Sequence, residues 1–229
     1  MNILRFFVFL LICFSANAQL SQTAQVMNYM TMEGRFNKTS NSIDADGSPL
    51  LWEEWKPGFI LFKNNYELRD VLLRYNAFDN FLEVKYQGNQ YIVLAADYKV
   101  FGYFEINSKE QVIYRNLSLL KKEILTVKIL LEAGVIYGIH NQIKISRGSA
   151  AGSGGLNPVK DKFQSFSTFC IIKEGVLVKE VPRTKRAIIE SLPDQNKSLQ
   201  EYIKKNDIDL RDDSGLLKLL LFYEELKKE

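Results

Sequence analysis

Residues 81–95, FLEVKYQGNQYIVLA, alternate apolar and polar side chains on either side of a short polar centre. Leu82, Val84 and Tyr86 point one way and Glu83 and Lys85 the other. Gly88-Asn89 can make a two-residue turn, after which Tyr91, Val93 and Ala95 resume the alternation. A period of two interrupted by such a turn predicts a β-hairpin. The same period runs outward from Leu50 to about Val181, so this stretch decides the fold class.

Upstream, YELRDVLLRYN (66–76) reads as a strand in which Val71, Leu73 and Tyr75 share a face, followed by the turn residues Asn76 to Asn80. Downstream, FGYFEI and QVIYRNL flank the polar connector Asn107 to Gln111 and predict a second hairpin. Residues 117–131, LSLLKKEILTVKILL, satisfy both a helical stripe (Leu120, Ile124, Val127, Leu131) and a strand face (Leu125, Val127, Ile129, Leu131). The β-branched Thr126, Val127 and Ile129 favour a strand from Ile124, and Ala133-Gly134 turns it into VIYGIHNQIKIS.

The stretch RGSAAGSGGLNP (147–158) invites comparison with a phosphate-binding loop. Such a loop ends in a lysine and a hydroxyl at a helix start. Here Gly148, Gly152, Gly154 and Gly155 lead to Leu156, Asn157 and Pro158, and then to the alternating KFQSFSTFCII. The segment therefore reads as a flexible connection between two strands at a sheet edge. Beyond Pro182 the period becomes 3.6. Asp194 is a candidate cap for a helix carrying Leu199, Tyr202 and Ile203, and Ser214 a candidate start for a last helix through Leu226.

The expected architecture is α+β, mainly β: an antiparallel meander forming a curved sheet or partly open barrel, closed by C-terminal helices. Its parts are a signal peptide (1–18), a β domain (19–181) and a helical segment (182–229) packed on it. An outer-membrane barrel is disfavoured, because the chain ends in a charged helix and not in an aromatic strand.

Export is read from the first residues. Arg5 precedes an apolar run from Phe6 to Phe14, and Ala16 and Ala18 occupy the small-residue positions before a cut. A lipid-anchoring cut before Cys13 fits poorly, with Ile12 ahead of it. Of the 30 Lys and Arg only Arg5 lies in the leader, and none of the 27 acids does, so the remainder carries a net charge of +2. That balance argues against nucleic acid, which wants a basic stripe. The runs Arg183 to Arg186, Lys121-Lys122 and Lys204-Lys205 read as solvated faces. Past the signal no segment is apolar and long enough to cross a membrane as a helix.

Few side chains suggest chemistry. Cys170, the one cysteine past the leader, lies in an apolar setting and reads as a small buried hydrophobe. His140 is the sole histidine, which leaves no set for a zinc site, and no GxSxG elbow accompanies it. DADG (Asp44 to Gly47) opens like a calcium loop but lacks its other ligands, and reads as a polar turn. Glu53 and Glu54, as neighbours on a strand, would face opposite ways and could not flank one bond. No catalytic residue, cofactor or metal is assigned. Trp52, Trp55 and Tyr75, with Tyr66, Tyr86 and Tyr91, are candidates for stacking on a flat ligand, against the commoner reading as core aromatics.

The stretch from Gly47 to Val93, with its SPLL, EEW and LRYN motifs, resembles the core of a family of exported Bacteroidota proteins to which no activity is assigned. LQEYIKKNDIDLRDDSGLLKLLLFYEEL (199–226) resembles the paired-helix tail of that family, while Leu50 stands where the family pattern leads one to expect tyrosine. The resemblance implies an envelope or secreted location and a β-rich fold. The reading that follows is a non-enzymatic envelope module that binds a ligand or a protein partner. The alternative is a hydrolase using carboxylates that the sequence does not identify.

Overall fold

The computed structural model describes residues 27–32, 43–105, 111–118, 124–148 and 159–228. Residues 1–18, read above as a signal peptide, and most of the glycine-rich segment lie outside them. Among the described residues twelve strands form one sheet: β1 (Thr31–Met32), β2 (Ala45–Asp46), β3 (Lys56–Phe62), β4 (Glu67–Asn76), β5 (Phe81–Tyr86), β6 (Asn89–Leu94), β7 (Tyr98–Phe104), β8 (Gln111–Ser118), β9 (Ile124–Glu132), β10 (Ile136–Ser146), β11 (Asp161–Lys173) and β12 (Val176–Pro182). Three helices follow: α1 (Lys185–Ser191), α2 (Asn196–Lys205) and α3 (Asp213–Leu226). The sheet order is β1-β6-β5-β4-β3-β7-β8-β9-β10-β11-β12, antiparallel throughout, with β2 joining β11 in parallel.

This order dictates a shape. β6 and β7 are consecutive in sequence but lie four strands apart in the sheet. On a flat sheet that separation is roughly 19 Å. The four Cα steps from Leu94 to Tyr98 reach only about 14 Å when fully extended. The sheet must therefore roll up, bringing the end of β6 back toward β7, and the Asn116 side-chain amide ties the join by donating to the carbonyls of Ala95 (2.8 Å) and Tyr98 (3.2 Å). No ladder pairs β6 with β7, so the roll stays open, as the meander pattern predicts. Where β3 meets β7 the backbones approach so closely that a Cβ on Gly58 would lie 2.2 Å from the Gly102 carbonyl oxygen.

Inside the roll, inward-facing residues of β3 to β8 make one core. Ile60, Leu73, Leu82, Val93 and Phe101 are wholly buried there. The hairpin that sets the fold class is β5–β6, with Leu82 and Val84 paired against Val93 and Tyr91. Its turn falls one residue earlier than expected, on Gln87-Gly88 (φ 49° and 80°) with Asn89 already paired to Tyr86. That two-residue loop needs positive φ at both positions, which Gly88 supplies as its second residue and could not supply as well from a strand-flanking place.

β10 and β11 carry two cores on one face. Odd residues at one end, Ile143, Ile145 and Phe163, cap the roll. Odd residues at the other, Tyr137, Ile139, Phe169 and Ile171, take the helices. Even residues point to the opposite face, where Cys170 and Ile172 pack with Leu117, Leu125 and Val127. β9 begins at Ile124 as the β-branched residues predict, and the Gly-rich segment joins β10 to β11, which pair over their full lengths. It links hydrogen-bonded neighbours, and β12 lies beyond them.

The last helix is apolar around most of its circumference and is covered on several sides. Leu216, Leu219, Leu220 and Tyr223 are buried against the sheet and against Ile188, Ile189 and Leu192 around α1 and Leu199 and Ile203 of α2. Phe222 stacks on Tyr202 at 3.9 Å, and Leu221 remains exposed. At the start of α3, Asp213 meets Lys128 of β9 (2.7 Å) and Arg183 (2.6 Å), tying the helices to the sheet. A carboxylate there also suits the helix N-terminus.

Three local expectations are corrected. The residue capping α2 is Gln195, because Asp194 adopts φ 70° in the preceding turn. Asp44 to Gly47 is not only a turn: Ala45 and Asp46 form β2 on β11, and Asp44 pairs with Lys160 at 3.1 Å. Glu53 and Glu54 are exposed in a bend before β3, so they do not decorate a strand edge.

Candidate functional site

β10 is longer than its neighbour. β9 pairs only with Ile136 to His140, and Asn141 to Ser146 continue without a β9 partner. Into that gap comes the β4–β5 turn, with the Ile143 N–H donating to the Ala77 carbonyl (3.4 Å) and the Asn80 amide to the Ile124 carbonyl (2.9 Å). Between them lies a cleft of about 500 Å³. Ala77, Phe78, Ile124 and Ile143 make its apolar lining, and Asn80, His140, Gln142 and Lys144 supply polar groups. Such a mixture, mostly apolar with a few convergent polar groups, is the usual make-up of a small-molecule site.

A buried polar seam runs from this cleft into the roll. Tyr75 donates to Asn80 Oδ1 (2.8 Å), and Thr126 Oγ1 lies 2.9 Å from that oxygen and 2.7 Å from Asn116 Oδ1. Thr126 has one proton for the two oxygens, and with Tyr75 serving Asn80 it can serve Asn116. Burial pushes the Tyr75 hydroxyl up to about 12, with a smaller opposing effect from Thr126, so the seam is held together by neutral groups.

At the cleft rim, His140 Nδ1 lies 3.0 Å from Glu180 Oε1, to which the Thr168 hydroxyl also donates at 2.5 Å. Burial alone would raise the Glu180 carboxyl, but the Thr168 hydroxyl, the His140 ring and Lys144 together outweigh it and hold the carboxyl below its ordinary range. His140 is thus a nearly buried strand residue with a carboxylate partner two strands away, a structural role of the kind its sequence setting suggests.

Of the three stacking candidates, Trp52 and Tyr75 meet in the roll and Trp55 stands apart. Tyr75 is buried in the roll, 6.2 Å from the half-buried Trp52. Trp52 packs on Tyr103 (5.0 Å) and Tyr114 (5.8 Å), and Lys56 sits over the same Tyr103 ring at 4.1 Å. Trp55 is engaged by Arg74 and Lys85, each 4.3 Å from its ring. These aromatic faces are taken by the protein's own rings and cations. Tyr75 alone reaches the cleft. Asn80, Asn116, Thr126, Gln142 and Lys144 escape sequence reasoning as site residues. Strand parity did hold a signal for two of them, since Asn116 shares the face of Tyr114 and Thr126 that of Ile124.

No protein-family model, curated protein or solved structure matches this chain. The site therefore rests on its own geometry. Among the described residues no group of His, Cys, Asp and Glu is placed to hold a metal ion, and no helix is long and apolar enough to cross a membrane.

Cys170 is wholly buried on the far side of β11. Burial, reinforced by the Glu180 charge, pushes its thiol from 9.0 up to about 12. Labelling by a thiol reagent at pH 8 should be slow in the native protein and become fast on adding denaturant. The linkage follows from the sign of the shift. A raised pKa means a stability contribution that is full below pH 9 and is lost as pH climbs from 9 to 12. The stability difference between wild type and Cys170→Ala should shrink across that window in denaturant titrations, and fast native labelling would show the thiol to be open.

Proposed function

We propose that this protein is an exported, non-enzymatic envelope module that holds a ligand or a partner segment in the cleft beside β10. The reading rests on one observation: the extension of β10 past β9 leaves apolar side chains lining a cleft that carries the amides of Asn80 and Gln142 and the ammonium of Lys144. Export rests on the signal-like leader, and the envelope setting on the family resemblance of the Gly47–Val93 stretch.

The alternative, a hydrolase working through carboxylates, would need two of them facing one another, one kept protonated. Glu180, the carboxylate that touches His140 on the rim, is instead biased toward its ionised form, which favours binding over acid catalysis. The test is recovery by cross-linking from the native envelope fraction. Wild type should capture a defined partner, and Gln142→Trp combined with Lys144→Glu, both facing out of the core, should lose it at an unchanged melting temperature. Equal capture by the double variant would exclude the cleft.

A further inference from the structure

Beyond His140 the two strands that bound the cleft part company. The last β9–β10 pair is Val127 with His140, after which β9 runs to Ile124 beside β8 and β10 runs to Ser146 beside β11. The parted edges are not equally open. On the β9 side, the Asn80 amide already takes the Ile124 carbonyl at 2.9 Å. On the β10 side, the Ile143 N–H points to the Ala77 carbonyl and so away from β11. Main-chain groups on one side of a strand recur at every second residue. Gln142, Lys144 and Ser146 therefore turn theirs to β11, while the Ile143 carbonyl and both main-chain groups of Ile145 face the cleft. Among the described residues none of these three groups has a hydrogen-bond partner in the chain.

The side chain between them is also uncommitted. Lys144 is exposed, lies over the Phe166 ring at 5.7 Å and makes no salt bridge among the described residues. Glu180, a carboxylate that feels its charge, is already held by His140 and Thr168. An open strand edge is a template for another strand, and a main chain is the chemistry that repeats a donor and an acceptor at this spacing. Resting on the cleft reading above, we propose that the occupant is an extended peptide that adds to β10 as an antiparallel strand, with an acidic residue opposite Lys144 and apolar residues on either side of it. The apolar residues lie opposite Ile143 and Ile145, exchange main-chain hydrogen bonds with them, and share the face on which these two pack with Phe78 and Ile124. The acidic residue falls on the other face, where Lys144 supplies the opposite charge.

The probe is the peptide acetyl-Thr-Val-Glu-Val-Thr-amide, titrated against the purified protein by amide NMR. In the free protein the Ile145 amide should exchange with solvent faster than those of Lys144 and Ser146, which the β11 ladder holds. Saturating peptide should slow the Ile145 exchange and shift the Lys144 and Ile145 signals. Methylating the two valine nitrogens keeps every side chain but removes the donors to the Ile143 and Ile145 carbonyls, and should weaken binding about tenfold or more. A peptide with lysine in place of the glutamate, or the Lys144→Met protein, should bind about threefold more weakly, with the gap closing at high salt. Equal binding by the methylated peptide, or an Ile145 amide that stays unprotected at saturation, would overturn strand addition and leave the cleft as a binding site. Strand addition would fall as well if the peptide failed to bind while cross-linking still captured a partner that the Gln142→Trp/Lys144→Glu variant loses. Failure of both experiments would remove the cleft reading itself.

Discussion

Ending the chain after Val181 should leave a sheet that aggregates or melts without cooperativity. The helices from Lys185 to Leu226 cover Tyr137, Ile139 and Phe169, each no more than 2 % exposed in the intact fold. Uncovering a large apolar side chain costs roughly 1.5–3 kcal/mol, so these three alone approach the 5–15 kcal/mol that holds a typical domain together. Their loss would also leave a contiguous apolar patch of the kind that drives association. The same strands cap the roll with Ile143 and Phe163, so damage at the helical end reaches the cleft. Light scattering and calorimetry of the truncated protein check the expectation. A soluble, monomeric fragment melting at the intact protein's temperature would make the helices a detachable tail. Leu219→Ala should reproduce the effect in part, at about 2–5 kcal/mol.

Replacing Phe101 by alanine should have the next largest effect. Its ring is wholly buried, stacks on Tyr114 at 4.7 Å with the planes nearly parallel, and meets Tyr98 edge-on at 5.6 Å and Tyr75 at 5.5 Å. Truncations of this kind cost about 3–5 kcal/mol, because the surrounding rings cannot collapse into the space. Two of those rings, Tyr75 and Tyr98, carry hydroxyls of the polar seam, so the seam should loosen together with the core. Phe101→Leu, which keeps most of the volume, should lose far less in a urea titration. If alanine costs under about 1 kcal/mol, the roll is packed more loosely than these contacts imply.

Alternation along residues 81–95 was enough to reveal β5, β6 and their shared buried face, because a strand repeats every two residues whatever it packs on. The error of one residue in the turn arose because Gly88 can serve either position of a two-residue loop until the pairing of Tyr86 with Asn89 chooses. The dense apolar run of α3, Leu216 to Leu226, likewise calls for cover on more than one side. It could not say by what, since Leu216 and Leu219 are equally content against a helix, a sheet or another molecule. Asp44 to Gly47 shows the opposite limit. Two residues docking in parallel on β11 leave no periodicity to read.

By itself, then, the amino-acid sequence determined the local periods, the strands and helices that follow from them, the burial of Cys170 and the apolar character of the last helix. These depend on neighbours a few residues apart. Only the tertiary structure decided that β7 returns to β3 and rolls the sheet, because that choice rests on a short link having to span four strands. It also brought Tyr75, Asn80, Tyr98, Asn116 and Thr126 together. Those groups come from β4, the β4–β5 turn, β7, β8 and β9, and their meeting is a property of strand order, on which side-chain alternation is silent.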